Sequence, residues 1–534
     1  MLNISLLALA LCGGVLVEPF QVADHQPGHN QKYVCAAMAS DGHFAVAWID
    51  GIASGDPDPD DLEPELFIRF FDRDGNPMTE AYKITKLADT TWIRYPCLEM
   101  DTAGNTILLW ADTPIWREDE PWYALYAWYV RFQRFAPDGS PVGSAHTLVA
   151  RAFLGKSTYK LSSIDLSLNN NEEFVVTWCE IEPGPPTYKN YVWVERFDME
   201  GDPKNRPFLA CDEECVFFYY PRVALSDAGD VAVTWRDQPT PFYSGTVCLR
   251  FQVFDAADEP ILSWRSRGHL LDYEEHDDWE PQLFWLDNDR FVVFWQRLLE
   301  LNVGEYVMGW LARVFGHRGL ARYPIRLVMI DPHEVGGGWE KMFSVALSSD
   351  ERFAETHLRW SKLHAEPNCY WFRPGGIIGE IRDNEPWRQT NLFEYTESFG
   401  KDTTFKAVFI PAVGVCDDRI VWVYPRSTPD SLCEAWALIS DWDMGVGVVE
   451  RPIVEKPPDW EVITSIGSQI VLRYQDRPDG FRASIFDASG RKVDEVHATE
   501  SSGMITWGRC YGSGVYFIKP VVKSEETRKV VLTK

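Results

Sequence analysis

Four acidic residues stand at the same place in successive copies of one short motif. Asp50, Asp112, Glu180 and Asp237 each follow a tryptophan by two residues, in Trp48-Ile-Asp50, Trp110-Ala-Asp112, Trp178-Cys-Glu180 and Trp235-Arg-Asp237. Residues two apart on a strand share a face, so each carboxylate lies on the side of its tryptophan. Arranged around a ring, the four would gather near one mouth and bind a cation, calcium being the candidate, or a basic group. Arg297, Lys362 and Tyr424 take that place in the later copies, which makes the ring of acids lopsided. The same residues offer a second chemistry, because paired carboxylates drawn from distant parts of a chain cleave glycosidic bonds. Asp112 and Asp237, facing each other across a channel, are the pair that a glycoside hydrolase or lyase would use.

Other reactions leave no trace. There is no GxSxG, HExxH or phosphate-loop motif, so the strongest signatures of hydrolases and nucleotide enzymes are missing. The 11 cysteines include no CxxC pair and the 11 histidines show no ligand spacing, which gives no zinc site. Cys211 and Cys215 are close enough in sequence for a local disulfide. Asp56-Pro-Asp58-Pro-Asp60-Asp61 imitates a calcium loop but lacks its glycine and its distal glutamate, and reads as a solvated loop. Ser226-Asp227-Ala-Gly229 looks like the aspartate-box turn of sialidase propellers, yet Trp235 lies too far beyond the glycine for that motif. Trp116, Trp122, Tyr123 and Trp387 offer stacking surfaces for sugars or anchors for a protein.

A repeat supplies the frame that positions these residues. Strands ending in tryptophan recur as Phe44-Ala-Val-Ala-Trp48, Thr106-Ile-Leu-Leu-Trp110, Phe174-Val-Val-Thr-Trp178, Val231-Ala-Val-Thr-Trp235 and Phe291-Val-Val-Phe-Trp295, with weaker copies ending at Trp360 and Trp422. The intervals run from 57 to 68 residues. An apolar run and a turn such as Ser40-Asp41-Gly42 precede the anchor strand, because Asp and Gly tolerate the left-handed backbone of a tight hairpin. A third strand ends in Phe71-Asp72-Arg-Asp74-Gly75-Asn-Pro77, with related endings after Phe135, Phe197 and Phe254. The proline opens a fourth strand, whose first residue needs no N–H. Four antiparallel strands per copy, seven times over, predict an all-β, seven-bladed β-propeller spanning residues 17–455. Val17–Val22 looks like a fourth strand and is a candidate to close the last blade.

After a linker at 456–461, residues 462–534 change pattern. Short strands joined by glycine turns predict a small Ig-like β-sandwich. Ile485-Phe-Asp-Ala-Ser-Gly-Arg-Lys-Val493, Trp507-Gly508, Gly514-Val-Tyr-Phe-Ile518 and the terminal Lys529-Val-Val-Leu-Thr-Lys534 occur in that order. This segment resembles the C-terminal sorting domain of type IX (Por) secretion substrates, with Pro457-Pro458-Asp459 in place of that family's Asn-Pro-rich opening. The resemblance implies export through the matching bacterial secretion machinery. The propeller itself is similar only to repeats of bacterial surface proteins, which imply no activity.

The charge balance narrows the partners. With 80 acidic and 51 basic residues, a net charge of −29 repels phosphate backbones, so nucleic acid is not expected. The apolar run 2–12 has the length of a signal-peptide core, giving an expected leader at 1–16 although the first basic residue is Lys32. The expectation is a monomeric, secreted or outer-surface protein with no obligatory cofactor. It binds a glycan or a protein, and the alternative is a carbohydrate-active enzyme.

Overall fold

The computed structural model describes residues 14–443 and 460–533, apart from short internal stretches, the longest being 53–61, 115–124, 331–342 and 395–410. The aspartate-rich segment 56–61, the loop aromatics Trp116, Trp122, Tyr123 and Trp387, Cys215 and most of the expected leader lie outside the described residues. The chain divides into two units, Met1–Gly447 and Val448–Lys534. Among the described residues the regular elements are all strands.

The first unit contains seven four-stranded antiparallel sheets among the described residues. The first is Phe44–Ile52 flanked by His29–Met38 and Leu62–Phe71, with Tyr82–Lys83 outermost. The next five follow the same order, starting from the inner strands Thr91–Met100, Lys160–Leu168, Phe217–Leu225, Asp278–Trp285 and Phe343–Leu347. The seventh has Ala412–Val415 inside, then Ile420–Ser427 and Cys433–Ser440, and takes its outer strand, Val15–Gln21, from the start of the chain. Val15 pairs with Ser440 and Gln21 with Trp436, so the expected leader boundary at residue 16 falls inside a paired strand. Each inner strand lies against the next, and that of the seventh sheet lies against that of the first. The result is a closed, propeller-like ring of sheets around a channel.

Packing explains why the second strands are almost wholly apolar. Each is covered on both faces, as in Phe44–Ile52, where every residue but Ile52 is buried. The anchor tryptophans press into the preceding sheet. Trp110 joins Ala45, Ala47 and Ile68 of the first sheet, Trp178 joins Ile107 and Val130 of the second, and Trp48 joins Val421 and Val423 of the seventh. Strand register corrects the sequence alignment in two copies. Phe353 pairs with Leu347 as Phe174 pairs with Leu168, which puts His357, not Trp360, at the sixth anchor position. Ile420 pairs with Val415, which puts Tyr424 there in the seventh sheet, with Trp422 two residues earlier on the same face. The side chains two residues beyond the anchor are therefore Arg297, Arg359 and Arg426 in the last three sheets; Lys362 and Tyr424 do not occupy that place.

The two ends of the sheets differ. First and second strands are joined by four or five residues in every sheet, whereas second and third strands are joined by two to ten. Third strands also turn back tightly, at the bridges Phe71↔Pro77, Phe197↔Pro203, Phe254↔Pro260 and Phe315↔Ala321. Gly75 and its counterparts Gly139, Gly201 and Gly319 adopt left-handed φ values there, which only glycine takes up without strain. A belt of polar contacts runs from sheet to sheet along this uniform rim. Ser40 Oγ donates to Thr102 O at 2.7 Å, Thr102 Oγ1 to Asn170 Oδ1 at 3.0 Å, and Asn170 N to Asp227 Oδ1 at 3.0 Å. Ala228 N donates to Asn288 Oδ1 at 3.1 Å, Arg290 pairs with Glu351 at 2.5 Å, and Ser349 Oγ donates to Asp417 Oδ1 at 2.6 Å. Arg73 of the first sheet completes the belt on Asp418 at 2.7 Å.

The second unit has a three-stranded sheet, Trp460–Thr464, Ile470–Tyr474 and Gly503–Trp507, and a five-stranded sheet that includes Phe481–Asp487, Gly514–Pro520 and Arg528–Leu532. Trp460, Leu472 and Trp507 of the first share one core with Phe481, Ile485, Ile518 and Leu532 of the second.

Two variants test this frame. Deleting residues 15–21 leaves the seventh sheet one strand short, and the first unit is expected to melt earlier and to be cut faster by protease; an unchanged melting profile would refute the closure. Trp178→Ala is expected to cost about 3–5 kcal/mol in urea unfolding, as for other buried aromatics.

Candidate active site along the channel

The four acids predicted from sequence lie near the variable rim, and each is engaged by a partner of its own. Asp112 is fully buried and accepts from Arg131 Nη1 at 3.1 Å and from Trp110 Nε1 at 3.3 Å. Arg131 lies over the Trp110 ring, 5.3 Å from its centroid, and also donates to Thr85 O of the first sheet at 3.1 Å. Asp237, equally buried, is bonded by Arg250 Nε. Glu180 pairs with Arg151 of the second sheet at 3.4 Å, and Asp50 takes a 2.6 Å hydrogen bond with His29 Nδ1. Burial raises the Asp50 carboxyl above its ordinary range against the pull of His29. In the fifth sheet the polarity reverses, and Arg297 reaches Asp272 of the fourth at 3.0 Å. The arrangement ties sheet to sheet in several places. Among the described residues, no group of three or more His, Cys, Asp or Glu is placed to hold a metal ion.

The inner strands carry the second set of chemical groups. In five of them the register slips by one residue near the variable rim, between Lys32 and Cys35, Arg94 and Cys97, Leu161 and Ile164, Tyr219 and Arg222, and Trp279 and Gln282. At four of these bulges a residue with a full side chain takes a left-handed backbone: Tyr33 at φ 50°, Tyr95 at 54°, Tyr220 at 54° and Glu280 at 37°. Such conformations cost on the order of 1–3 kcal/mol each and persist only where the surroundings impose them. Bulges re-aim the side chains of a strand, and here they do so at the mouth of the channel.

Below the bulges the inner strands alternate. Leu98, Leu166, Val223 and Leu283 are buried between sheets, while Cys97, Glu99, Asp165, Ser167, Arg222 and Gln282 retain partial exposure. Side chains stitch these strands edge to edge. Asp165 accepts from Val223 N at 2.9 Å and lies 3.5 Å from Arg222, whose Nε donates to Pro281 O at 3.2 Å. Ser167 Oγ accepts from Leu225 N at 3.0 Å. Burial pushes the Glu99 carboxyl up to about 8, and the charge of Asp165 adds to the effect. Burial also raises Asp165, opposed by Arg222. Burial raises the Cys35 and Cys97 thiols as well, which leaves them protonated and poor nucleophiles. The two carboxyls stand in different surroundings, Glu99 raised by burial and by a neighbouring charge and Asp165 raised by burial but opposed by Arg222, and such a difference is what divides the parts of proton donor and charged partner.

No family model and no curated protein matches the chain. Solved structures do. A protein of unknown function from Dyadobacter fermentans aligns at TM-score 0.41 and 12% identity, over 79% of this chain and 99% of that one. An α-L-arabinanase of Penicillium chrysogenum aligns at 0.41 and 9%, over 81% and 98%. The polysaccharide lyase Uly1 aligns at 0.42 and 10%, over 81% and 97%. Likenesses this distant decide nothing about the chemistry of this chain.

Reading the sequence for acids beside tryptophan missed Glu99 and Asp165. Their signal was the alternation itself. In Cys97-Leu-Glu99 and Ile164-Asp165-Leu166-Ser167, polar residues interrupt strands whose alternate positions are apolar, which marks one side as facing something other than a neighbouring sheet.

Two outcomes follow from these groups. Glu99 holds its proton in the folded chain up to about pH 8 but releases it near 4.5 when unfolded, so folding binds a proton between those values and stability falls as pH rises through that window. In Glu99→Gln that slope is expected to flatten, as measured by urea unfolding at several pH values. Asp112→Ala strands the buried Arg131 guanidinium and is expected to cost about 3–5 kcal/mol; a loss below about 1 kcal/mol, the size of a surface pair, would show that the pair is not a buried tie.

Proposed function

We propose that this chain is a seven-bladed β-propeller that acts on carbohydrate, as a glycoside hydrolase or a polysaccharide lyase. In this reading Glu99 is the proton-holding acid, and Asp165, oriented by Arg222 and the Val223 amide, is its charged partner. The observation that carries it is the Glu99 carboxyl, partly open to the channel and kept neutral at pH 7 by burial and by its neighbour. Enzymes that cleave glycosidic bonds need one carboxylic acid protonated while another stays charged. Asp112 and Asp237, occupied by Arg131 and Arg250, are assigned a structural part.

The second reading is a non-catalytic glycan- or protein-binding protein, favoured by the side-chain partners that already engage Asp50, Asp112, Glu180 and Asp237. In either reading the C-terminal unit is an Ig-like sandwich that directs export to the cell surface or medium, a role supported by the ordered motifs from Ile485 to Lys534.

A panel of neutral and uronate-containing polysaccharides, assayed for new reducing ends and for unsaturated products, separates hydrolase from lyase. Turnover is expected to fall as pH rises through about 8, and Glu99→Gln is expected to lose roughly 10²–10⁴-fold, the usual worth of a general acid. Retention on a glycan array without turnover on any substrate would move the assignment to the binding reading.

A further inference from the structure

The sixth sheet departs from the others at its centre. Where five sheets place Trp48, Trp110, Trp178, Trp235 and Trp295, it places His357. Two residues earlier, where those sheets carry Val46, Leu108, Val176, Val233 and Val293, it carries Glu355. Both are deeply buried, His357 at 0% and Glu355 at 1% exposure. His357 Nδ1 lies 2.9 and 3.1 Å from the two Glu355 oxygens, so a shared hydrogen fixes the ring and Nε2 is turned away from Glu355. Among the described residues Nε2 has no hydrogen-bond partner, and neither has either amide atom of Gln296, itself 0% exposed.

These atoms belong to one interface. Gln296 on the second strand of the fifth sheet pairs with Trp310 on the third, and cross-strand partners share a face. Trp310 packs with Phe343, Val345, Phe353 and Ile377 of the sixth sheet, and its ring centroid is 5.2 Å from that of His357. Histidine is smaller than the tryptophan that fills the equivalent place elsewhere. Reduced volume and three orphaned polar atoms therefore meet around the Trp310 ring.

We propose that Glu355, His357 and Gln296 build a buried water site between the fifth and sixth sheets. Water has the required chemistry, since it both donates and accepts and so matches Nε2 in either role and both atoms of the Gln296 amide. Buried polar groups are satisfied this way where two or more converge. A metal ion is a poorer occupant, because no group of three ligands is assembled among the described residues.

A crystal structure of the full chain showing ordered solvent tests the site, together with the double variant Glu355→Val/His357→Trp, which installs the residue pair that four of the other sheets carry. Expected are a solvent peak within hydrogen-bond distance of both His357 Nε2 and Gln296, its disappearance in the variant, and a higher thermal midpoint for that variant. A direct His357–Gln296 hydrogen bond with no solvent would overturn the proposal. So would a variant that melts lower or fails to fold, because it would show that no spare volume exists.

Discussion

The ring exists because its last sheet borrows a strand from the other end of the chain. Val15–Gln21 completes the seventh sheet and carries Phe20 into the core shared by the first and seventh sheets. Without that pairing the outer side of Cys433–Ser440 would present unpaired backbone groups, the hazard of any open sheet edge. The first and seventh sheets also meet through their inner strands, Trp48 and the Arg73–Asp418 pair, and the borrowed strand adds a backbone pairing to those contacts. Closure in turn fixes the inner strands around the channel, and with them the relation of Glu99 to Asp165 and of Asp165 to Arg222.

Within the ring, one column of side chains changes its task from sheet to sheet. Two residues beyond the anchor, the first four sheets carry an acid and the last three an arginine. Asp112 with Arg131 is a tie within the second sheet, whereas Arg297 with Asp272 joins the fifth sheet to the fourth. A buried pair of this sort adds little net stability over an apolar pair but is costly to break.

The repeat was legible because packing imposes it. A strand covered on both faces must be apolar throughout and end in a bulky side chain, so five tryptophans marked five sheets from sequence alone. Trp360 and Trp422 were taken for anchors because apolar pattern does not number residues within a strand, whereas hydrogen-bond register does. The acids at Asp50, Asp112, Glu180 and Asp237 were visible, but their partners come from other strands, and residue spacing cannot tell a paired carboxylate from a vacant one. Glu99 and Asp165 were hidden for a related reason: their properties arise where two inner strands abut, and no local motif records that meeting.

The borrowed strand also sets an order of events. Gln21 must wait for Trp436, so the first strand made is the last to find its place, and nearly the whole propeller must be present beforehand. Pairings so remote in sequence slow folding and leave edges open to wrong partners. A chain that crosses a membrane from its N-terminus would make that crossing with the ring still open.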